Sequence, residues 1–259
     1  MNPTTKTVIT TRIGKISIHI KKIESGKTPL VLLHGIYFDH RLWNRQFAEI
    51  TDRDVISIDM PWHGESRDNI KPDWTLDDCA NMLIDILDSL QIPRAIAVGQ
   101  SWGSMTILRA AHRHPRRFES LGLCNMSFLA ATKKQRFAYY LQHSMLAFRN
   151  FYALQSAKAL FGKTSLKADP SLIDELRRPM RILTNKQIRQ IDGAVMMDAD
   201  DSTQLIRALK VKAIALKGEE DFVPTPPGIE TMVVKGGHVS PLERPLEVSN
   251  LISRLLLNN

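Results

Sequence analysis

Two hydrophobic periods run through the first half of the chain. Apolar and polar residues alternate over 7–12 and 15–22 around Gly14, the pattern of a half-solvated β-hairpin. Continuous apolar runs follow at 29–33 and 55–58, as strands buried on both faces of a parallel sheet require. Between them, 41–50 spaces Trp43, Phe47 and Ile50 as a helix does. The clearest helix covers 75–90: Thr75 is placed to cap it, Asp77 and Asp78 fall in its first turn, and Cys79, Met82, Leu83, Ile86 and Leu90 form one stripe. Strand, helix and strand patterns recur at 95–98, 104–112 and 120–123. Repeated βα units predict an α/β fold, a mostly parallel central sheet with helices on both faces.

The pattern then changes. From 128 to about 201 it reads as helices and loops without a convincing strand, after which β patterns return at 211–216 and 231–234. A closing helix is predicted over 245–257, with Val248, Leu251, Ile252 and Leu255 in phase. The expected organisation is a core of 1–127 and 206–259 interrupted by a helical lid or cap, 128–205. The run Thr225, Pro226, Pro227, Gly228 reads as a rigid turn and not as a linker.

Composition narrows the classes. At 259 residues the chain fits one α/β unit with an insertion. Its apolar share of 43% and charged share of 24% are those of a soluble globular protein, and no apolar run approaches the roughly 18 residues of a membrane span. Residues 1–15 lack the continuous apolar segment of a secretory leader, which predicts a cytoplasmic protein. Cys79 and Cys124 have no metal or redox spacing and are expected to be free thiols. The net charge of +8 is local: residues 127–190 hold twelve Lys or Arg against three acids, while the remainder is nearly neutral. No nucleic-acid recognition motif accompanies the charge.

Candidate chemistry starts at Gly99-Gln100-Ser101-Trp102-Gly103, a G-x-S-x-G at the junction of a predicted strand and helix. A serine on so sharp a turn needs small residues two positions to either side, and Gly99 and Gly103 meet that need. A serine hydroxyl is a poor nucleophile until a base accepts its proton. His238 is the candidate base, as the only histidine in a C-terminal strand-to-helix loop. The other seven have structural readings, with His34 steadying its own loop by hydrogen bonds and His40 a candidate for the pocket wall.

Over nearly its whole length the chain resembles the α/β-hydrolase superfamily. Leu32-Leu33-His34-Gly35-Ile36 resembles the family's oxyanion loop, with Trp43 downstream; Asp59-Met60-Pro61-Trp62-His63-Gly64-Glu65-Ser66 resembles its D-x-P-x-x-G-x-S turn. Gly236-Gly237-His238 resembles its terminal G-H segment, and Gly218 to Pro224 its G-x-x-D-x-x-P pattern around Asp221. The resemblance implies a triad of Ser101, Asp221 and His238, with the backbone N–H groups of Ile36 and Trp102 as oxyanion hole. Asp59 and Ser66 are assigned to turn stability. The other acid position that some relatives use holds Asn125 and Ser127, neither a carboxylate. In one departure, only 17 positions separate Asp221 from His238, where relatives fit a further helix.

The implied activity is cofactor-independent and metal-free hydrolysis of a carboxylic ester or related acyl compound through an acyl-enzyme. An amidase or peptidase is the neighbouring alternative, since Ser101-Trp102-Gly103-Ser104 resembles the proline iminopeptidase elbow, although the H-G-G-P-G loop of those enzymes is missing. An acyltransferase would use the same triad. Dehalogenase and epoxide-hydrolase chemistry needs Asp at position 101, and a non-catalytic binding homologue would not need the triad. Eight of the seventeen aromatic residues lie between 128 and 161. Tyr37, His40, Phe128, Phe137, Tyr140 and Phe148 are therefore expected to line an apolar pocket for a small acyl substrate. The basic lid suggests an anionic substrate, or an acyl group on an acidic carrier.

Overall fold

A computed structural model describes residues 4–257. Residues 1–3, the start of the segment read for a leader, and 258–259 lie outside the described residues. The predicted hairpin is β1 (Thr4–Thr10) paired antiparallel with β2 (Lys15–Lys21), turning at Gly14. The apolar runs become β3 (Leu30–Leu33), β4 (Val55–Ile58) and β5 (Ala95–Gln100), in which every residue is buried. Burial of one such Leu, Ile or Val contributes roughly 1.5–3 kcal/mol, so these short strands anchor the core despite their length. They are followed by β6 (Phe118–Cys124), β7 (Lys212–Gly218) and β8 (Glu230–Val234). The sheet order is β1-β2-β4-β3-β5-β6-β7-β8, antiparallel at β1-β2 and β2-β4 and parallel elsewhere.

The helix over 41–50 is divided. Asp39 accepts the Arg41 N–H and starts a 3-10 turn, His40–Trp43, before α1 (Asn44–Glu49). In α2 (Leu76–Ser89), Thr75 and Asp78 form a reciprocal capping box, as the placing of Thr75 predicts. This helix packs on α3 (Trp102–Arg113), while α1 packs on α11 (Pro245–Leu257), so helices cover the sheet on two sides. Another short helix, α10 (Ser240–Glu243), precedes α11.

Between β6 and β7 the chain forms helices α4 (Lys133–Ser144), α5 (Arg149–Leu160), α6 (Lys163–Ala168), α7 (Leu172–Met180), α8 (Asn185–Asp192) and α9 (Thr203–Arg207). Capping boxes open α4 at Thr132 with Gln135 and α8 at Thr184 with Gln187. These helices cap the carboxyl edge of the sheet. No helix among the described residues is long and apolar enough to cross a membrane.

Candidate active site

The sheet order brings the loops after β3 and β5 together. The strands are neighbours, with Leu33 opposite Gly99, yet the chain leaves them in opposite directions, to β4 and to β6. Open α/β sheets hold ligands at such a reversal, outside the carboxyl ends of the strands. Ser101 follows β5 there with φ 50° and ψ −110°, a conformation that costs free energy in any residue with a β-carbon. Its N–H donates to the Cys124 carbonyl at 2.8 Å, and Ser104 Oγ–H donates to the Gly99 carbonyl at 2.7 Å, which holds the turn. A β-carbon at Gly99 would overlap the backbone of Gly103 and Ser104, and one at Gly103 would overlap the Leu33 carbonyl. Close approach of strand and helix therefore demands both glycines.

The loops after β7 and β8 converge on this serine. His238 Nε2 lies 2.8 Å from Ser101 Oγ, and its Nδ1 lies 2.8 Å from Asp221 Oδ1. A carboxylate can only accept, so in neutral imidazole Nδ1 carries the proton and Nε2 accepts the Ser101 hydroxyl. Burial alone would raise the Asp221 pKa. The charge and hydrogen bond of His238, with donation from Asn125 and the Val223 N–H, outweigh it and hold the carboxyl below its ordinary value. Hydroxyl, imidazole and carboxylate in this alignment can pass a proton from an attacking oxygen to the ring while the carboxylate balances the imidazolium.

The segment from Asp221 to His238 contains no helix before β8, in line with its shortness. The half-exposed ring of Phe222 occupies this side and stacks on His238 at 4.5 Å between centroids.

Ile36 and Trp102 flank Ser101. Trp102 opens α3, so its N–H is one of those a helix leaves without an internal partner, at the positive end of the helix dipole. Gly35, beside Ile36, has no room for a β-carbon against Gln100 Oε1 and Ser101 Cβ. Two buried histidines hold this loop. His34 donates from Nδ1 to the Gly35 carbonyl at 2.7 Å and accepts the Met60 N–H at Nε2. His63 donates to the Pro61 carbonyl and accepts the Tyr37 N–H at 3.0 Å. Burial lowers the pKa of both, that of His63 to about 3, so each stays neutral and keeps one accepting nitrogen.

Three positioning residues were not assigned such roles in the sequence. Asn125, with φ 51°, donates from Nδ2 to Asp221 Oδ2 at 2.9 Å and to the Gly237 carbonyl, so the position without a carboxylate serves the acid in the loop after the next strand. Gln100 Nε2 donates to the His238 carbonyl at 2.6 Å. Glu243 accepts the N–H groups of Gly162, Gly237 and Val239, and the His238 N–H donates to the Leu160 carbonyl; together these fasten the histidine loop to the cap. Glu243 lies five positions after His238, and nothing in that spacing reveals three backbone partners.

A cavity of about 240 Å³ opens over Ser101 and His238, walled by Ile36, Phe128, Tyr139, Leu160, Val195 and Met196 among others. None of its lining residues is charged, so the cations of the cap do not face into it. Tyr37 lines a smaller adjoining cavity of about 60 Å³, where its hydroxyl donates to the buried Asp192. Asp192 also accepts from Tyr152 at 2.8 Å and from His143 Nε2 at 2.7 Å.

Four pocket expectations require correction. Phe137, Tyr140 and Phe148 are 69%, 77% and 71% exposed: α4 meets the body through Tyr139, Gln142 and His143 and turns Phe137 and Tyr140 outward, and Phe148 precedes α5 with its ring toward solvent. His40 lies away from the cavity: its Nδ1 and backbone N–H both donate to Asp59 Oδ1, and its ring stacks on His19 at 3.5 Å. His19, His40 and Asp59 are close enough to suggest a metal, but the rings are nearly parallel, with planes 19° apart. Their nitrogens already pair with separate carboxylate oxygens, His19 Nε2 with Oδ2 at 3.2 Å and His40 Nδ1 with Oδ1 at 2.9 Å. Asp59 also accepts the Glu65 N–H, and Ser66 Oγ–H donates to the Asp59 carbonyl, the turn-holding roles expected of both.

Fold and site geometry together define a class, and comparison with known proteins agrees. Residues 28–171 match the family model of the alpha/beta hydrolase fold, and the chain belongs to that family of enzymes. It is 28% identical over 235 residues to the dihydrolipoyllysine-residue acetyltransferase component of the acetoin cleaving system of Pseudomonas putida, spanning 86% of this chain and 62% of that longer protein. It is 24% identical to an uncharacterized carboxylesterase, nap, of Bacillus subtilis (strain 168), over 95% of this chain and 84% of the relative. Among solved structures, a thermophilic esterase from Thermogutta terrifontis shares the fold with a TM-score of 0.82 at 23% identity, covering 98% of each chain.

Proposed function

We propose that this protein hydrolyses carboxylic esters or related acyl compounds through an acyl-enzyme on Ser101. The observation that carries the reading is the strained Ser101, its hydroxyl 2.8 Å from His238 Nε2. His238 takes the serine proton during attack and returns it to the leaving group, and then activates water for deacylation. Asp221 fixes the ring tautomer and offsets the imidazolium charge. The N–H groups of Ile36 and Trp102 bind the oxyanion, each worth about 10²–10³ in rate.

The uncharged cavity favours a small apolar acyl group, and its volume of about 240 Å³ sets the scale. The relatives named esterase and carboxylesterase point the same way. Acyl transfer is the second reading, supported by the acetyltransferase relative, and would run through the same intermediate.

A fluorophosphonate probe tests the mechanism. Folded protein should be labelled at Ser101, and Ser101→Ala and His238→Ala should abolish or strongly slow labelling; equal labelling of His238→Ala would reject the assignment. Turnover of a panel of esters, lactones, thioesters and amides, with and without an added alcohol or amine acceptor, separates hydrolysis from transfer.

A further inference from the structure

The first arm of the cap carries an outward face that the active site does not use. In α4, Phe137, Tyr140 and Leu141 are spaced i, i+3, i+4 and lie on one side of the helix, exposed by 69%, 77% and 59%. The helix touches the body on its opposite side, through Tyr139, Gln142 and His143, so this stripe has no partner among the described residues. Phe148 and Phe151, exposed by 71% and 47%, extend the apolar surface into α5, and Leu129, also exposed, stands at the rim of the cavity. Half of the twelve large exposed apolar side chains among the described residues fall within 129–151. Such concentration marks an interaction surface and not the usual scatter of exposed apolar groups.

The charge around the stripe selects the partner. No acid occurs between Glu119 and Asp169, and seven Lys or Arg do. Lys133 lies one turn before Phe137 on the same side of α4, and Lys134 borders it. Arg136 lies 3.8 Å from Asp198, which leaves the two lysines as the cations of this face. A second copy of the chain would bring like charges together across the stripe. Aromatic residues bordered by lysines on an amphipathic helix are suited to an anionic lipid surface, where the rings enter the boundary of the acyl chains and the ammonium groups meet the headgroups.

We propose that the outer face of α4 and the start of α5 dock on an anionic lipid–water interface and hold the cavity mouth, at Leu129, close to it. This goes beyond the hydrolase reading and does not depend on it.

Cosedimentation of the full chain tests the docking. The probes are phosphatidylcholine vesicles and vesicles of equal parts phosphatidylcholine and phosphatidylglycerol, at low and high salt. The protein should partition onto the anionic vesicles and be released as salt rises. Lys133→Gln with Lys134→Gln should weaken partition by about thirtyfold, from roughly a factor of five per lysine. Phe137→Ser with Tyr140→Ser should weaken it at every salt concentration. All four positions are exposed, so the melting temperature should be unchanged in each variant. Absence of partition, or equal partition onto both vesicle types, would overturn the proposal. So would a concentration-dependent dimer abolished by Phe137→Ser, which would assign the face to a second copy. Binding of polyglutamate as tight as that of anionic vesicles, and insensitive to Phe137→Ser with Tyr140→Ser, would assign it to an acidic protein and equally refute a lipid partner.

Discussion

Asp192 offers the sharpest test of how the cap and the oxyanion loop depend on each other. The carboxylate is buried and accepts from the hydroxyls of Tyr37 and Tyr152 and from His143, which come from three separate parts of the chain. Tyr37 adjoins Ile36, so one acceptor links the cap to the loop whose N–H is proposed to bind the oxyanion. In Asp192→Ala the three donors lose their acceptor. The two tyrosine hydroxyls lie 3.3 Å apart and can still bond each other, leaving about two groups buried without a partner. At about 1–3 kcal/mol for each, the loss is about 2–6 kcal/mol. At about 2–4 °C per kcal/mol for a chain of this size, that lowers Tm by about 4–24 °C. Tyr37→Phe removes a single donor and should cost about 1 kcal/mol. Urea unfolding measures the stability, and ester hydrolysis at saturating and limiting substrate measures the site. Tyr37→Phe should lower kcat with little change in KM, because the loop shifts where the oxyanion forms and not where the ground-state acyl group rests. Stability of Asp192→Ala within 1 kcal/mol of wild type, determined with about that precision, would refute the linkage.

Other perturbations follow from the same geometry. Asp59 has its pKa far below the ordinary value, the hydrogen bonds of His19 and His40 outweighing burial, while the pKa of His40 is raised, its bond to Asp59 outweighing burial. A depressed carboxyl contributes stability above its unfolded pKa of about 3.9 that is lost as pH falls; a raised imidazole contributes stability below about 6.5 that is lost as pH rises through its folded value. His40→Gln should therefore flatten the decline in urea midpoint as pH rises above about 6.5, and an unchanged profile would remove His40 as its source. Asn125→Leu takes a hydrogen bond from Asp221 while keeping a side chain of similar size, and should reduce kcat by tenfold or more, within the limit of about 10⁴ set by loss of the acid itself. Cys79 and Cys124 are buried, with burial raising both thiol pKa values, that of Cys124 to about 12. Neither should react with a thiol reagent at pH 8 until denaturant is added, and rapid labelling of the folded protein would contradict their burial.

The core was legible because its strands are buried on both faces and contain little except Val, Ile, Leu and Ala, while α2 carries its own start signal in Thr75 and Asp78. The turn at Ser101 was legible for a steric reason: two glycines at fixed spacing between a strand and a helix leave few other conformations. Asn125, Gln100 and Glu243 gave no comparable signal. Asn125 and Gln100 reach backbone carbonyls more than a hundred residues away in sequence, Glu243 gathers one N–H 81 residues away and two close by, and none of these contacts imposes a local period.

The cap aromatics failed for a different reason. Clustering of Phe and Tyr suggests an apolar pocket, but clustering does not tell which side of a helix faces the body. In α4 the phase decides: Tyr139 and His143 are four apart and face inward, Phe137 and Leu141 are four apart and face outward, and the two pairs differ by half a turn. The inward pair brings hydrogen-bonding groups to the region of Asp192, and the outward pair brings only carbon. A helix that buries its polar side and exposes its apolar side against water reverses the ordinary amphipathic arrangement. Docking on the proposed anionic lipid surface would take that outer face out of water, and the lysines beside it select the sign of charge such a surface must carry.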